Sequence, residues 1–115
     1  MSCLFCKIVE GTIPSRKVYE DEHVLAFHDI APQAPVHILV IPKQHFAALN
    51  DAQPEHIELL GRIQLAAQHV AKEAGIAESG YRVVTNNGPD AGQVVFHIHY
   101  HVLGGEKLAT LGGKE

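Results

Sequence analysis

The chain has little of several features that would place it in a particular class. Its 115 residues include no tryptophan, one methionine and two cysteines, and the lysines and arginines form no cluster. The formal net charge is −4, so electrostatic binding to a nucleic-acid backbone is not expected. The most apolar stretch, HILVI at 37–41, is far too short to cross a bilayer. We therefore expect neither a nucleic-acid partner nor a membrane partner.

The first residues, MSCLFCKIVEG, lack the long apolar core and the small-residue cleavage site of a secretory signal peptide. A cytoplasmic location is therefore predicted. Cys3 and Cys6 are three positions apart, and in a reducing compartment a structural disulfide across so short a span is not expected. The length and the 46% hydrophobic content fit one globular domain over 1–115, with a tail over 106–115 that we expect to be flexible.

Local patterns predict several short strands, a short helix and one long helix. The predicted elements are a helix over 3–10, hairpin strands at 18–20 and 24–27, a strand at 36–41, a helix from about 55 to 74, and strands at 81–86 and 96–102. For the long helix, Asn50-Asp51 offers an N-cap pair, Pro54 lies in the first turn and Gly75 is the stop signal. Its apolar stripe is Leu60, Ile63, Ala67, Val70 and Ala74. These elements predict an α+β fold with a largely antiparallel sheet.

The most informative stretch is HIHYHVLGG at 97–105, where a histidine occupies every second position. In a strand such residues share one face, so His97, His99 and His101 should lie together. The opposite face then carries apolar side chains suited to burial: Phe96, Ile98, Tyr100 and Val102. His37 is similarly a polar residue within an apolar strand.

Chance does not explain three imidazoles on one face, since a buried polar group without a partner costs about 1–3 kcal/mol. Surface positions on turns or a helix do explain His23, His56 and His69.

On the residues alone, two chemistries remain open for the histidine strand. One is a zinc site formed by His99, His101 and His37; His97 and His101 begin roughly 13 Å apart on a regular strand and cannot share an ion. The other is nucleophilic attack by a neutral imidazole on a phosphorus or acyl centre, with a neighbouring imidazole moving the proton. The adjacent loop at 86–93 fits a backbone anion nest, although an ordinary turn explains it equally well.

The pair Cys3-x-x-Cys6 also has more than one explanation. A redox motif would be followed by a βαβ unit, which is not predicted here. The remaining possibilities are half of a tetrahedral zinc site that needs two more ligands, or two idle thiols.

The segment His97-Ile98-His99-Tyr100-His101-Val102-Leu103 resembles the His-x-His-x-His-x-x signature of the histidine triad (HIT) superfamily. Other segments resemble its Hint-like branch: Phe5–Ile8, Ile13-Pro14, Ala26–Ile30, Pro32–Pro35, His37, Leu39–Lys43 and Gly92-Gln93. The resemblance covers Leu4 to Gly105. It implies a HIT-like α+β fold with a mostly antiparallel five-stranded sheet, one long helix and a short N-terminal helix.

The resemblance also implies an activity. A histidine at position 101, where nucleotidyltransferases of the superfamily have glutamine, is similar to the hydrolases, and Leu103-Gly104-Gly105 departs from the Pro-Arg of Fhit-like enzymes. We therefore expect a homodimeric hydrolase of purine nucleoside phosphoramidates and acyl adenylates that requires no cofactor for catalysis. The alternatives are a non-catalytic purine nucleotide-binding module, a dinucleoside polyphosphate hydrolase and a zinc-dependent hydrolase.

Site residues carry over from the family by position. His99 resembles the nucleophile that forms a nucleotidyl-histidine, His101 its proton-handling partner and His37 the orienting histidine. The nucleotide-binding positions implied are Leu4, Phe5, Ile8, Phe27 and Ile30 for the base, Asp29 for the ribose hydroxyls, Asn86 for the ribose and phosphate, and the main chain of Gly92, Gln93 and Val94 for the phosphate. This chain departs from the family in two places: Val94 stands where members often have serine, and the tail lacks a tryptophan.

Some bacterial relatives hold a structural zinc ion with residues that resemble Cys3, Cys6, His45 and His97 of this chain. Such a site leaves His99 and His101 free for catalysis. We expect a zinc ion here that pins the N-terminal segment, with Phe5 and Ile8, to the histidine strand.

Overall fold

A computed structural model describes residues 3–110 of the chain. Its elements are α1 (Leu4–Glu10), β1 (Lys17–Glu20), β2 (Val24–His28), β3 (Val36–Pro42), α2 (Ile57–Glu73), β4 (Tyr81–Val84) and β5 (Tyr100–Gly104). The five strands form one antiparallel sheet in the order β1-β2-β3-β5-β4. The predicted fold class, the sheet and both helices are therefore confirmed.

Helix α1 is short and begins on a cysteine. The Cys6 N–H donates to Sγ of Cys3, the N-cap residue, at 3.3 Å, and Gly11 ends the helix with a φ of 85°. An isolated helix shorter than about 12–15 residues is marginal in water, so seven residues do not sustain α1 alone. It therefore depends on tertiary contacts through its buried residues, Phe5 and Ile8.

Helix α2 covers one face of the sheet and forms the larger core with it. Of the predicted stripe, Ile63, Ala67 and Val70 are buried, Leu60 is half-buried and Ala74 is exposed. The helix begins at Ile57, because Pro54–His56 forms a separate 3-10 turn, and Leu49–Asp51 forms another. The sequence-based N-cap was therefore wrong.

His56 is not a surface residue as predicted, because its ring stacks on Phe46 with centroids 4.7 Å apart and is buried. The ring is also held by the backbone, because the His56 Nδ1 accepts the Gln53 N–H at 2.9 Å.

The opposite face of the sheet carries a smaller apolar cluster, made by α1 and the strands. Strand β3 shows the predicted alternation: Ile38 and Val40 face α2, whereas Leu39 and Ile41 join the smaller cluster. Along the histidine segment, the residues buried against α2 are Ile98, Tyr100 and Val102. This alternation puts His37, His99 and His101 on the face that α2 leaves open.

The histidine strand is shorter than predicted. It begins at Tyr100 and not at Phe96, and the side chain of Phe96 is half exposed. The preceding residues leave the ladder because the Ile98 N–H donates to the Phe46 carbonyl at 2.9 Å. His97 is fully buried, and its ring packs on Phe5, which also packs on the His99 ring.

Strand β4 is also shorter than predicted and ends at Val84, where the Thr85 hydroxyl donates to the His99 carbonyl at 2.8 Å. Past β5, the Arg82 guanidinium donates to the Ala109 carbonyl at 2.8 Å. The rest of the predicted tail, 111–115, lies outside the described residues. Within 3–110, neither helix combines the length and the apolar character needed to span a membrane.

Candidate active site and metal centre

Strand register brings His37 and His101 together. In the β3/β5 ladder His37 pairs with Leu103 and His101 pairs with Leu39. The two histidines are thus diagonal neighbours on one face, about 7–8 Å apart at the backbone, which is within reach of long side chains. Their rings meet with His37 Nε2 2.9 Å from His101 Nδ1.

The backbone fixes the tautomers of this pair. The Gln33 N–H donates to His37 Nδ1 at 3.1 Å, so in a neutral ring the proton of His37 sits on Nε2. His37 Nε2–H then donates to His101 Nδ1. Neutral His101 therefore carries its own proton on Nε2, the nitrogen not used by His37.

Asp29 follows β2 directly and lies beside this pair. Its Oδ2 is 3.4 Å from His37 Nε2, its Oδ1 accepts the Ala31 N–H at 2.8 Å, and its own N–H donates to the His37 carbonyl at 3.0 Å. The carboxylate is therefore held next to the imidazoles. Spacing along the sequence gave no sign of this companion carboxylate.

His99 presents the opposite tautomer. Its Nδ1–H donates to the His97 carbonyl at 2.8 Å, so the lone pair of the neutral ring is on Nε2. The Phe5 ring packs edge-on against the His99 ring, with centroids 5.1 Å apart. The His101 ring is equally close, at 5.1 Å. One unprotonated and one protonated Nε2 thus lie on adjacent residues of the same face.

Burial keeps all three imidazoles neutral. It lowers the pKa of His101 from 6.5 to about 4, with further lowering by His99 and His37 and an opposing effect of Asp29. Burial also lowers the pKa of His99 and of His37, again against the charge of Asp29. At pH 7 the imidazole of His99 is therefore in its nucleophilic form.

A cavity of about 440 Å³ opens in front of His99 and His101. This volume falls within the range of small-molecule sites, about 300–1,000 Å³. The predicted residues that line it are Leu4, Phe5, Ile8, Phe27, Asp29, Ile30, Asn86, Gly92, Val94, His99 and His101. Sequence reasoning missed the other lining residues, Ile13, Pro14, His28, Ala31, Gln33, Leu39 and Val95. Of these, Leu39 shares the face of His37 and was detectable by alternation.

Two predicted residues lie outside the cavity lining. His37 is buried and contacts His101, which does line the cavity. The buried amide of Gln93 donates to the carbonyls of Ala47 at 2.7 Å and Val95 at 3.1 Å, and accepts the Gly88 N–H at 2.8 Å. Gln93 therefore braces the loop at 88–95.

The same loop uses most of its own backbone donors. The Gly92 N–H donates to Pro89 at 2.9 Å and the Gln93 N–H to Gly88 at 3.1 Å. Positive φ angles at Gly88 and Gly92, 87° and 86°, permit this tight turn. Within 3–110 the Val94 N–H donates to no backbone carbonyl, and Val94 lines the cavity, so this N–H is a candidate main-chain donor to a ligand.

The predicted metal ligands form a second cluster, the Cys/His cluster of Cys3, Cys6, His45 and His97. Both sulfurs lie 3.4–3.6 Å from Nδ1 of both histidines, and the two Nδ1 atoms are 3.1 Å apart. Tetrahedral zinc with bonds of about 2.3 Å to sulfur and 2.0–2.1 Å to nitrogen would separate sulfur from nitrogen by about 3.6 Å and the nitrogens by about 3.3 Å. The four donors therefore fit zinc.

The second nitrogen of His97 supports the same geometry. Its Nε2–H donates to the Pro42 carbonyl at 2.8 Å, which leaves the Nδ1 lone pair aimed at the cluster. Without metal, burial and then the neighbouring Cys3 thiol raise the pKa of Cys6 to about 11.

The structure also groups Asp29, His37 and His101 with donor atoms within 4.8 Å of one another. This set differs from the zinc alternative considered from sequence, because His99 is not part of it. The mutual hydrogen bond of the two imidazoles already occupies the nitrogens that face each other.

Comparisons with known proteins identify the family of the chain. The HIT domain model matches residues 10–108. A purine nucleoside phosphoramidase of Escherichia coli is 47% identical over 108 residues, or 94% of this chain and 91% of that protein. A 14 kDa zinc-binding protein of Zea mays is 53% identical over 107 residues, or 91% and 83%.

A solved structure gives the same result. The crystal structure of a HIT family hydrolase from Legionella pneumophila superposes with a TM-score of 0.95 at 48% identity, covering 97% of this chain and 100% of that one. This chain therefore belongs to the histidine triad (HIT) family, and its relatives in that family include hydrolases.

Proposed function

We propose that this protein hydrolyses purine nucleoside 5′-phosphoramidates, and related acyl adenylates, to the nucleoside monophosphate. The observation that carries the proposal is the pair of Nε2 atoms at one cavity: an unprotonated one on His99 and a protonated one on His101. The first suits attack on phosphorus and the second suits protonation of a leaving amine.

In the first step His99 Nε2 attacks the α-phosphorus and the P–N bond breaks, with its electron pair going to nitrogen. The departing amine takes a proton from the His37–His101 pair through His101 Nε2. An anionic phosphoryl group in the cavity favours an extra proton on this pair, and the Asp29 carboxylate beside His37 offsets its charge. The Val94 N–H is placed to donate to a non-bridging oxygen.

In the second step water attacks the phosphorus of the nucleotidyl-His99. The water proton passes to His101, the P–Nε2 bond breaks and the electron pair returns to His99. The nucleoside monophosphate leaves, and the pair again holds the proton that the next amine requires. Each turnover therefore converts one phosphoramidate and one water into one amine and one nucleoside monophosphate.

The test is hydrolysis of adenosine 5′-phosphoramidate and of a lysine conjugate of AMP, each carrying labelled α-phosphorus. We expect AMP release and a labelled, acid-labile protein intermediate after rapid quenching. His99→Ala should abolish both, whereas the surface variant His23→Ala should retain them. Undiminished turnover in His99→Ala excludes the proposed nucleophile. AMP binding without turnover supports a binding module, and turnover of diadenosine polyphosphates alone supports the dinucleotide alternative.

We also propose that the Cys/His cluster holds a structural zinc ion. The tetrahedral spacing of its donors and the Pro42 bond of His97 support this, as does the zinc-binding relative from maize. When bound, the ion supplies cross-linking between α1 and the histidine segment and no step of the hydrolysis.

A homodimer is proposed on the outer surface of α2. The small residues Ala66, Ala67 and Ala71 of this helix are not available for a helix contact between subunits, because they are buried in the chain's own core. Gly61 and Leu65, one helical turn apart, remain exposed. Light scattering should give twice the chain mass, and Leu65→Glu should give the monomer mass; a monomeric native protein contradicts the proposal.

A further inference from the structure

The Cys/His cluster and the catalytic histidines share one residue, His97. Its ring Nδ1 faces the two sulfurs at 3.5 and 3.6 Å, while its carbonyl accepts the Nδ1–H of His99 at 2.8 Å. The acceptor of the hydrogen bond that sets the tautomer of His99 is therefore the carbonyl of His97, a residue whose ring belongs to the cluster. A displacement of His97 reaches the His99 imidazole directly.

A second connection runs through Phe5, which lies in sequence between the two cysteines. Its ring is edge-on to His99 at 5.1 Å and 88°, and packs on Phe27 at 5.6 Å. Phe5, His99 and Phe27 all line the cavity. Phe5 belongs to the first turn of α1. The position of that turn consequently determines where the Phe5 ring lines the cavity and how it packs on the His99 ring.

The two sulfurs control that first turn. Cys3 Sγ is the N-cap acceptor of α1, and both sulfurs belong to the Cys/His cluster. They lie within 4.8 Å of each other as free thiols. A disulfide requires a sulfur separation of about 2.0 Å and removes both thiolate ligands at once. Joining the sulfurs therefore dismantles the cluster and shifts the start of α1.

The cluster is open to solvent. A groove of about 570 Å³ is lined by both Cys3 and His45, and the His45 side chain is exposed. A small oxidant can therefore reach the Cys3 side chain without unfolding of the protein.

We propose that Cys3 and Cys6 form a reversible thiol switch that controls nucleotide binding. Hydrogen peroxide takes two electrons from the two thiolates, a Cys3–Cys6 disulfide forms, and the O–O bond breaks to give two waters with two protons from solvent. Loss of both sulfur ligands releases the metal. The metal then no longer fixes the positions of Phe5 and His97. This inference rests on the proposed nucleotide site and on the proposed zinc ion.

The test measures binding, not turnover. Zinc-loaded protein is treated with hydrogen peroxide, and the disulfide is followed by peptide mass spectrometry, released zinc with a chromophoric chelator, and AMP affinity by calorimetry. We expect one disulfide formed and one zinc ion released per chain. The Kd for AMP should rise by about 5- to 150-fold, the usual range for coupled sites. Dithiothreitol with zinc should restore the affinity, and the NMR signal of the His99 Nδ1–H should change in parallel.

Two variants separate the switch from general oxidation. Cys3→Ser/Cys6→Ser should bind AMP weakly with or without peroxide. Cys6→His leaves zinc one thiolate and three imidazole ligands and cannot form the disulfide. This variant should bind AMP tightly with or without peroxide if it holds zinc, and should bind AMP weakly if it does not.

The proposal is overturned if disulfide formation and zinc release leave the AMP affinity unchanged, or if peroxide leaves both thiols free and the metal bound. Redox-dependent AMP binding without hydrolysis of any phosphoramidate contradicts only the proposed reaction. AMP binding in neither state contradicts both proposals.

Discussion

His37 Nε2 lies 2.9 Å from His101 Nδ1, and this hydrogen bond determines which nitrogen of His101 can deliver a proton. The Gln33 N–H prevents His37 from carrying its proton on Nδ1, so the donor direction runs from His37 to His101. His101 Nε2–H is left for the substrate. The backbone N–H of Gln33 thereby determines which nitrogen of His101 carries the proton that the substrate receives.

The first prediction concerns the leaving group. His101→Ala should slow hydrolysis of a lysine conjugate of AMP by about 10²- to 10⁴-fold, the usual contribution of general acid catalysis. Hydrolysis of a nitrophenyl ester of AMP, whose leaving group needs no proton, should slow far less in the same variant. Steady-state kinetics on both substrates give the ratio directly.

The control for this prediction is His69→Ala, an exposed histidine on α2 that should leave the ratio unchanged. Equal losses on the two substrates in His101→Ala would assign His101 to binding and not to proton transfer.

The second prediction concerns pH. Burial lowers the pKa values of His99 and His101, the latter to about 4, so both stay neutral as the pH falls through 6.5. With the nitrophenyl ester, kcat/KM should therefore hold constant from pH 8 to below 6.5 and decline only as the pH approaches these lowered values. Protonation of His99 then removes the nucleophile.

Asp29→Asn tests the sign of this effect. The Asp29 carboxylate raises the pKa of both imidazoles against the effect of burial, so its removal should move the acid limb of kcat/KM to lower pH. A shift to higher pH would show that Asp29 does not act on these rings by its charge.

The sheet was predictable because its signals are local. Alternation placed Ile38 and Val40 toward a helix, and Leu39 and His37 on the other face, without any knowledge of partners. The start of β5 was not predictable in this way. It depends on a hydrogen bond from Ile98 to Phe46, more than fifty positions apart in the chain, that pulls the segment away from the ladder.

The site divides along the same line. Its residue types follow from the triad motif, whereas the contact between His37 and His101 follows from a strand register that no local pattern specifies. The position of Asp29 beside His37 depends on β2 pairing with β3, and the metal ligand set was implied only by the family resemblance. Backbone acceptors such as the His97 carbonyl give no sequence signal at all.

The third prediction concerns metal. Protein purified without chelator should contain one zinc per chain, and Cys3→Ser should contain none. Because binding to the folded state alone stabilises it, removal of zinc by a strong chelator should lower Tm by about 10 °C or more. Glu10→Ala, an exposed change on the same helix, should keep both metal and Tm. A native protein that is metal-free and indifferent to chelator excludes the zinc site.

The fourth prediction concerns the edge of the cavity, where Val94 is 83% exposed although it lines the site. An apolar side chain there offers the phosphate no hydroxyl donor, so at this position only the main-chain N–H can donate to it. Val94→Ser should raise kcat/KM for adenosine 5′-phosphoramidate by about 2- to 10-fold, as one added hydrogen bond allows. Val83→Ser, an exposed valine on β4, should change nothing. If Val94→Ser slows the reaction instead, the valine contributes by apolar contact with the leaving group, and the edge of the cavity selects substrates by packing.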